Sequence, residues 1–203
     1  MKNTNLLFCA LLFFFSSILF SCNHTEFYAD PQATGLGIFS NTGNNLMSCY
    51  IQNQPWRTRD RTSGGFLGNT TYELLISKQT TNGITDNLVF TWFGYPSANN
   101  TLNGDVSLVL SVPKNFGYRE LSAFKGQRIA LDTTNGYFRF SSSQPITGKG
   151  TGNIYFHNMQ IDSIGPNNFT GRMSGLLDAK FGSSLILLNG RFDHNITSPQ
   201  IQF

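Results

Sequence analysis

The stretch Asp105-Val106-Ser107-Leu108-Val109-Leu110-Ser111-Val112 decides the fold class. Val106, Leu108, Leu110 and Val112 alternate with Asp105, Ser107 and Ser111, the period-two signature of a strand with one face in a core and the other toward water. Working outward, comparable runs recur at 46–51, 72–78, 88–93, 137–141, 154–163, 169–178 and 185–196, which with the first predict at least eight strands. Between or within them stand Asn82-Gly83, Asn103-Gly104, Asn135-Gly136 and Asn189-Gly190. These dipeptides tolerate positive φ and predict tight hairpin turns, so neighbouring strands run antiparallel. Only 118–125 reads as helical, with Leu121 and Phe124 on one side and Gly126 placed to end it.

An all-β chain of this length buries one face of its strands against another sheet or closes on itself. The expectation is an antiparallel β-sandwich or a lipocalin-like barrel, with at most one short helix. No repeat of 20 to 50 residues is visible, and the longest turn-rich interval, 95–104, is short enough to be a hairpin loop. The division predicted is a leader at 1–21, a tether at 22–35 and a single β domain at 36–203.

The leader rests on Lys2, an unbroken apolar run at 6–15 and its interruption by Ser16 and Ser17, the pattern of a secretory signal peptide. A membrane span needs about twenty apolar residues, and here polar Asn23, His24, Thr25 and Glu26 follow at once. Leu19-Phe20-Ser21-Cys22 resembles the lipobox of bacterial lipoproteins. That resemblance implies cleavage before Cys22 and acylation of its thiol, hence attachment to a membrane through lipid. Two or more acyl chains anchor stably where one is marginal. Cys9 would leave with the leader and Cys22 would be acylated, so only Cys49 remains and no intrachain disulfide is possible. Cys49 alternates with Met47 and Ile51, which predicts a buried structural thiol rather than a nucleophile.

Charged residues make up 12% of the chain, and the formal charge of +3 falls to +2 without Lys2. A balance so close to neutral argues against a nucleic-acid partner. Aromatic residues at 14%, nineteen of them phenylalanine, supply ample material for one core.

Two motifs carry a resemblance across the domain. Leu46-Met47-Ser48-Cys49-Tyr50-Ile51-Gln52-Asn53-Gln54-Pro55-Trp56 looks like the opening of uncharacterised lipoproteins of Bacteroidota, where a strand leads into an Asn-Gly-x-Pro-Trp turn; Gln54 replaces the usual glycine. Asn189-Gly190-Arg191-Phe192-Asp193 is similar to the ending of the same proteins. The resemblance implies a cell-envelope lipoprotein, and it implies no activity.

Catalytic constellations are scarce. His157 and His194 are read as lying on apolar strand faces, where a satisfied, partly buried histidine is more common than a metal ligand, and by alternation Asp193 points away from His194, so neither a metal pair nor a base with its carboxylate is favoured. Neither His-Glu-x-x-His nor Gly-x-Ser-x-Gly occurs. The carboxylates Glu73, Asp105, Glu120, Asp132, Asp162, Asp178 and Asp193 fall mostly at strand ends and turns, where solvation is the usual reading; two of them facing across a cleft would make a glycan hydrolase. Gly148-Lys149-Gly150-Thr151-Gly152 runs into a strand rather than a helix, which removes the main donors of a phosphate loop.

Two features are candidate binding surfaces. Arg57, Arg59 and Arg61 follow Trp56 in alternation and would present three guanidinium groups on one side of an extended chain, against the plainer reading of a charge-protected edge strand. Trp92, Phe93 and Tyr95 precede a polar loop and would stack on a sugar ring if exposed; the alternative is core aromatics. The function expected is non-enzymatic binding of a glycan, lipid or other envelope component, with no cofactor and no metal. A structural envelope lipoprotein and a lipid-anchored hydrolase are the alternatives. Outer-membrane attachment is expected, with the periplasm-facing side slightly favoured over the surface. Asp132-Thr133-Thr134 and Asp162-Ser163-Ile164 look like short O-glycosylation sites of such bacteria.

Overall fold

The computed structural model describes residues 28–58, 61–65, 68–96, 104–142, 148–165, 168–183 and 185–203, with backbone alone at 61–65, 68–71, 95–96 and 163–165. Its strands are β1 (Leu46–Ile51), β2 (Gln54–Thr58), β3 (Arg61–Gly65), β4 (Gly68–Tyr72), β5 (Leu74–Gln79), β6 (Thr85–Trp92), β7 (Gly94–Pro96), β8 (Gly104–Pro113), β9 (Arg128–Leu131), β10 (Gly136–Ser142), β11 (Thr151–Gly165), β12 (Asn168–Phe181), β13 (Leu185–Thr197) and β14 (Ile201–Gln202). They form a seven-stranded sheet in the order β7-β2-β1-β13-β12-β11-β9, a five-stranded sheet in the order β10-β8-β6-β5-β14, and the separate hairpin β3-β4. All pairings are antiparallel except β14 on β5. The two larger sheets pack face to face as a sandwich, and neither closes into a barrel.

Alternation explains the sandwich strand by strand. On the five-stranded sheet the even-numbered Leu74, Ile76, Leu88, Phe90, Trp92, Val106, Leu108, Leu110, Phe138 and Phe140 enter the core. From the other sheet come Met47, Cys49, Ile51, Ile154, Phe156, Met159, Met173, Leu177, Phe192 and Ile196. Aromatic pairs join the layers: Phe90 lies 5.7 Å from Phe156 and Trp92 lies 5.5 Å from Phe192, centroid to centroid. Cys49 is fully buried, and burial raises its thiol well above the ordinary range, as suits a packing residue.

One local reading is made more specific and another is corrected. The segment read as helical is a 3-10 helix at Tyr118–Phe124, tucked by Leu121 against the core. Glu120 returns its carboxylate to the Gly117 N–H at 2.9 Å, and Gly126, at φ +74°, ends the turn while donating to the Phe156 carbonyl at 2.7 Å. A second 3-10 turn, Ser198–Gln200, precedes β14. Asn189-Gly190 is not a hairpin turn but a bulge within β13: Ser48 pairs with Arg191 and Tyr50 with Leu188, so Cys49 alone opposes both residues. Asn189 takes φ +53°, the conformation for which the dipeptide is suited.

Candidate functional site

The Asn189–Asp193 motif is the first place where sequence chemistry and geometry meet. Downstream of the bulge, Phe192 points into the core while Arg191 and Asp193 point to the outer face of the seven-stranded sheet. Residues 28–45 lie across that face as a strap. Arg191 holds it through an ion pair with Asp30 and a hydrogen bond to the Gly37 carbonyl at 3.3 Å. Asp193 holds it through its carboxylate, which accepts the N–H groups of Thr42 at 2.9 Å, Gly43 at 2.9 Å and Asn44 at 3.3 Å, together with the Ser40 hydroxyl.

Neighbouring strands add to the clamp. Asn41 accepts from Ser174 at 2.9 Å and Asn158 at 3.2 Å, and the Gly37 N–H donates to Ser48 at 3.0 Å. Leu36 is fully buried beneath the strap. Of the tether expected at 22–35, residues 22–27, Cys22 included, lie outside the described residues, while 28–35 belong to the strap.

The candidate arginines do not share a strand. Arg57 is exposed on β2, whereas Arg61 opens β3 in another sheet and Arg59 lies outside the described residues. Trp56 and Trp92 are fully buried, so neither is available as a binding residue, and Trp92 is the core aromatic of the alternative reading rather than part of a sugar platform. Trp56 donates its indole N–H to the Gly104 carbonyl at 3.1 Å, and Trp92 stacks on Phe90 at 6.2 Å. Tyr95 is described by backbone only and pairs with Arg57 across β2 and β7.

The histidines lie apart in environment as well as in strand. His157 is exposed and meets Phe39 of the strap at 5.8 Å, while His194 is fully buried in the core. Among the described residues, neither ring nitrogen of His194 has a hydrogen-bond partner. Desolvation pushes its pKa down to about 3, against the opposing effect of the Asp193 charge.

Several carboxylates serve structure. Asp86 accepts from Lys114 at 2.9 Å and from the Thr81 N–H at 3.1 Å. Asp132 organises the β9–β10 turn through the Thr134 hydroxyl at 2.6 Å and N–H at 2.9 Å, which leaves Thr133 and Thr134 exposed. Asp162 is exposed and accepts from Gln160 at 3.1 Å. Among the described residues, no three His, Cys, Asp or Glu side chains gather where they could hold a metal.

A recess suited to a polar ligand lies on the outer face of the five-stranded sheet, built mainly from odd-numbered positions of the strands whose even-numbered positions fill the core, with Tyr72 joining from the end of β4. It is an open hollow of about 670 Å³. Tyr72 and Phe93 form a tilted ring pair at 5.7 Å on one side of it. Across the centre, the hydroxyls of Thr91 and Ser107 lie 3.2 Å apart. Arg139 stands on the β10 side, exposed and steadied by Tyr137, whose hydroxyl is 3.2 Å away and whose ring lies 5.8 Å beneath the guanidinium. Asp105 also lines the hollow while accepting the Gly94 N–H at 3.2 Å. Apolar ring surface beside paired hydroxyls, a guanidinium and a carboxylate can recognise a polyhydroxylated molecule.

The parity of Leu88, Phe90 and Trp92 was the sequence signal that would have sent Trp92 inward. The same parity sends Thr91 and Phe93 to the hollow. No protein-family model, no curated protein and no solved structure matches this chain.

Proposed function

We propose that this chain is a lipid-anchored lipoprotein of the bacterial cell envelope, attached at the outer membrane, whose β-sandwich binds an envelope glycan without catalysing a reaction. The observation carrying the binding reading is the hollow over the five-stranded sheet, where the Tyr72–Phe93 ring pair adjoins Thr91, Ser107 and Arg139. The half-buried Tyr72 ring, backed by the buried ring of Phe93, offers a face to the C–H surface of a sugar, hydroxyls exchange hydrogen bonds with its hydroxyls, and Arg139 suits a carboxylate or phosphate substituent. The anchoring reading rests on the leader, on Leu19-Phe20-Ser21-Cys22 and on the resemblance to Bacteroidota lipoproteins.

Each half has its own test. Expressed in a bacterium that processes lipoproteins, the wild type should gain the mass of an acylated cysteine and partition with membranes, and Cys22→Ala should do neither. A soluble product cleaved elsewhere overturns the anchor. For binding, lipopolysaccharide core oligosaccharide and peptidoglycan fragments are titrated by calorimetry. Tyr72→Ala and Arg139→Ala should each weaken the binding partner at least tenfold while leaving the unfolding midpoint close to wild type. Affinity unchanged in both variants, or no binding of either probe, rejects the hollow as the glycan site.

A structural role in protein assembly has one observation in its favour. The opposite face of the sandwich carries Leu176 and Leu188, each 44% exposed, in a hollow of about 590 Å³ beside Tyr155 and Arg128. That surface is more apolar than the hollow on the five-stranded sheet and is the natural place for a protein contact.

A further inference from the structure

The chain has four methionines, one of which is Met1. The other three enter the core from the same sheet as His194, the one buried histidine among the described residues. His194 on β13 pairs with Met173 on β12, and Met173 pairs with Met159 on β11. On the other side of β13, Met47 pairs with Phe192, which makes it the diagonal neighbour of His194. All four side chains are fully buried.

Directly opposed residues on one sheet face have Cβ atoms about 5 Å apart and diagonal ones about 7 Å. Methionine has three rotatable bonds beyond its Cα, so thioethers from these positions can converge on the imidazole.

We propose that His194, Met173 and Met47, with Met159 as a further donor, form a binding site for a soft monovalent metal ion, copper(I) or silver(I). Thioether sulfur and neutral imidazole are the donors such ions prefer, and they are poor donors for magnesium, calcium or manganese. Two features distinguish this cluster from ordinary packing. Both nitrogens of His194 are buried without a partner among the described residues, an unfavourable arrangement that an aliphatic side chain of similar size would avoid. The Asp193 carboxylate also sits on the other face of the same strand, where its charge favours a positive charge at His194. Binding requires no redox step, because the ion enters and leaves in the monovalent state.

Silver(I) is the probe, since it does not change oxidation state in use. The full chain carries Cys49→Ala, its remaining thiols are alkylated, and its methionine methyl groups are 13C-labelled. We expect one equivalent of silver to be bound, with the methyl resonances of Met173 and Met47 shifting and the unfolding midpoint rising with silver concentration. Met173→Leu, which preserves volume, should lower the affinity at least tenfold and keep the fold. If Cys49→Ala fails to fold, the wild-type chain serves, because the methyl shifts report on thioethers whether or not a thiol also binds. Methionine resonances unmoved at stoichiometric silver, or equal affinity in Met173→Leu, overturns the site.

Discussion

Replacing Asp193 with Ala is expected to lower the free energy of unfolding by about 3 kcal/mol, because a charged acceptor shared by several donors is lost while the donors stay partly buried. The Thr42, Gly43 and Asn44 amides and the Ser40 hydroxyl all converge on this one carboxylate. Water can reach only part of the cavity that alanine would leave, since Asn44 is 7% exposed and Asn45 1%. Urea denaturation measures the loss. Hydrogen exchange locates it: protection at 42–44 should collapse while protection along β12 and β13 remains. Asp193→Asn, which keeps one acceptor oxygen, should fall between wild type and Ala. If protection at 42–44 survives in Asp193→Ala, the strap is held chiefly by Arg191 and Asn41 instead.

Acid should weaken the fold well before most carboxylates are protonated. His194 has a folded-state pKa of about 3, held down mainly by desolvation, against 6.5 for the free side chain. Between these values the unfolded chain takes up a proton that the folded chain refuses. The stability associated with neutral His194 is therefore intact above about pH 6.5 and is lost as the pH falls toward 3. The slope approaches about 1.4 kcal/mol per pH unit in that window. Asp30, Asp86 and Asp132 also have lowered values, first through the Gln32 N–H, Lys114 and the Thr134 hydroxyl respectively. Their contributions have the same sign but are lost only below the ordinary carboxylate range, near pH 4.

Denaturant titrations from pH 7 to 4 thus isolate the histidine. His194→Leu should flatten the curve across that interval, and at pH 7 it should be at least as stable as wild type, since two unpartnered nitrogens leave the core. A slope that persists in His194→Leu would assign the acid sensitivity to another group. A variant more stable than wild type would also show that His194 is kept for something other than stability, as a metal ligand would be.

The strands were legible because alternation is a property of neighbours in sequence. Val106, Leu108, Leu110 and Val112 all enter the core as read, and β1 spans the residues expected of it. Register between strands was not legible, and the methionine cluster exists only through register: Met47, Met159, Met173 and His194 stand on four different strands. The same limit hid the clamp. Asp193 reads in the sequence as a solvated carboxylate, and Arg191 suggests no role of its own, because their partners, residues 40–44 and Asp30, lie about 150 positions away. The Asn-Gly dipeptide was read as a turn since its preference for positive φ is common to turns and bulges, and only the continued pairing of β13 on both sides separates the two. The 3-10 helix was read as helical from the spacing of Leu121 and Phe124, which suits either helix type over so short a span.

The strap also sets a length. With lipid on Cys22, as proposed, only six residue steps lead to Tyr28, and a fully extended chain of that length reaches about 20 Å. The sandwich would ride close to the bilayer. Release of the clamp as far as Asn45 makes the leash twenty-three steps long and extends its reach to about 80 Å. If Cys22 carries the lipid as proposed, Arg191 and Asp193 would thereby fix how far from the membrane the domain can reach.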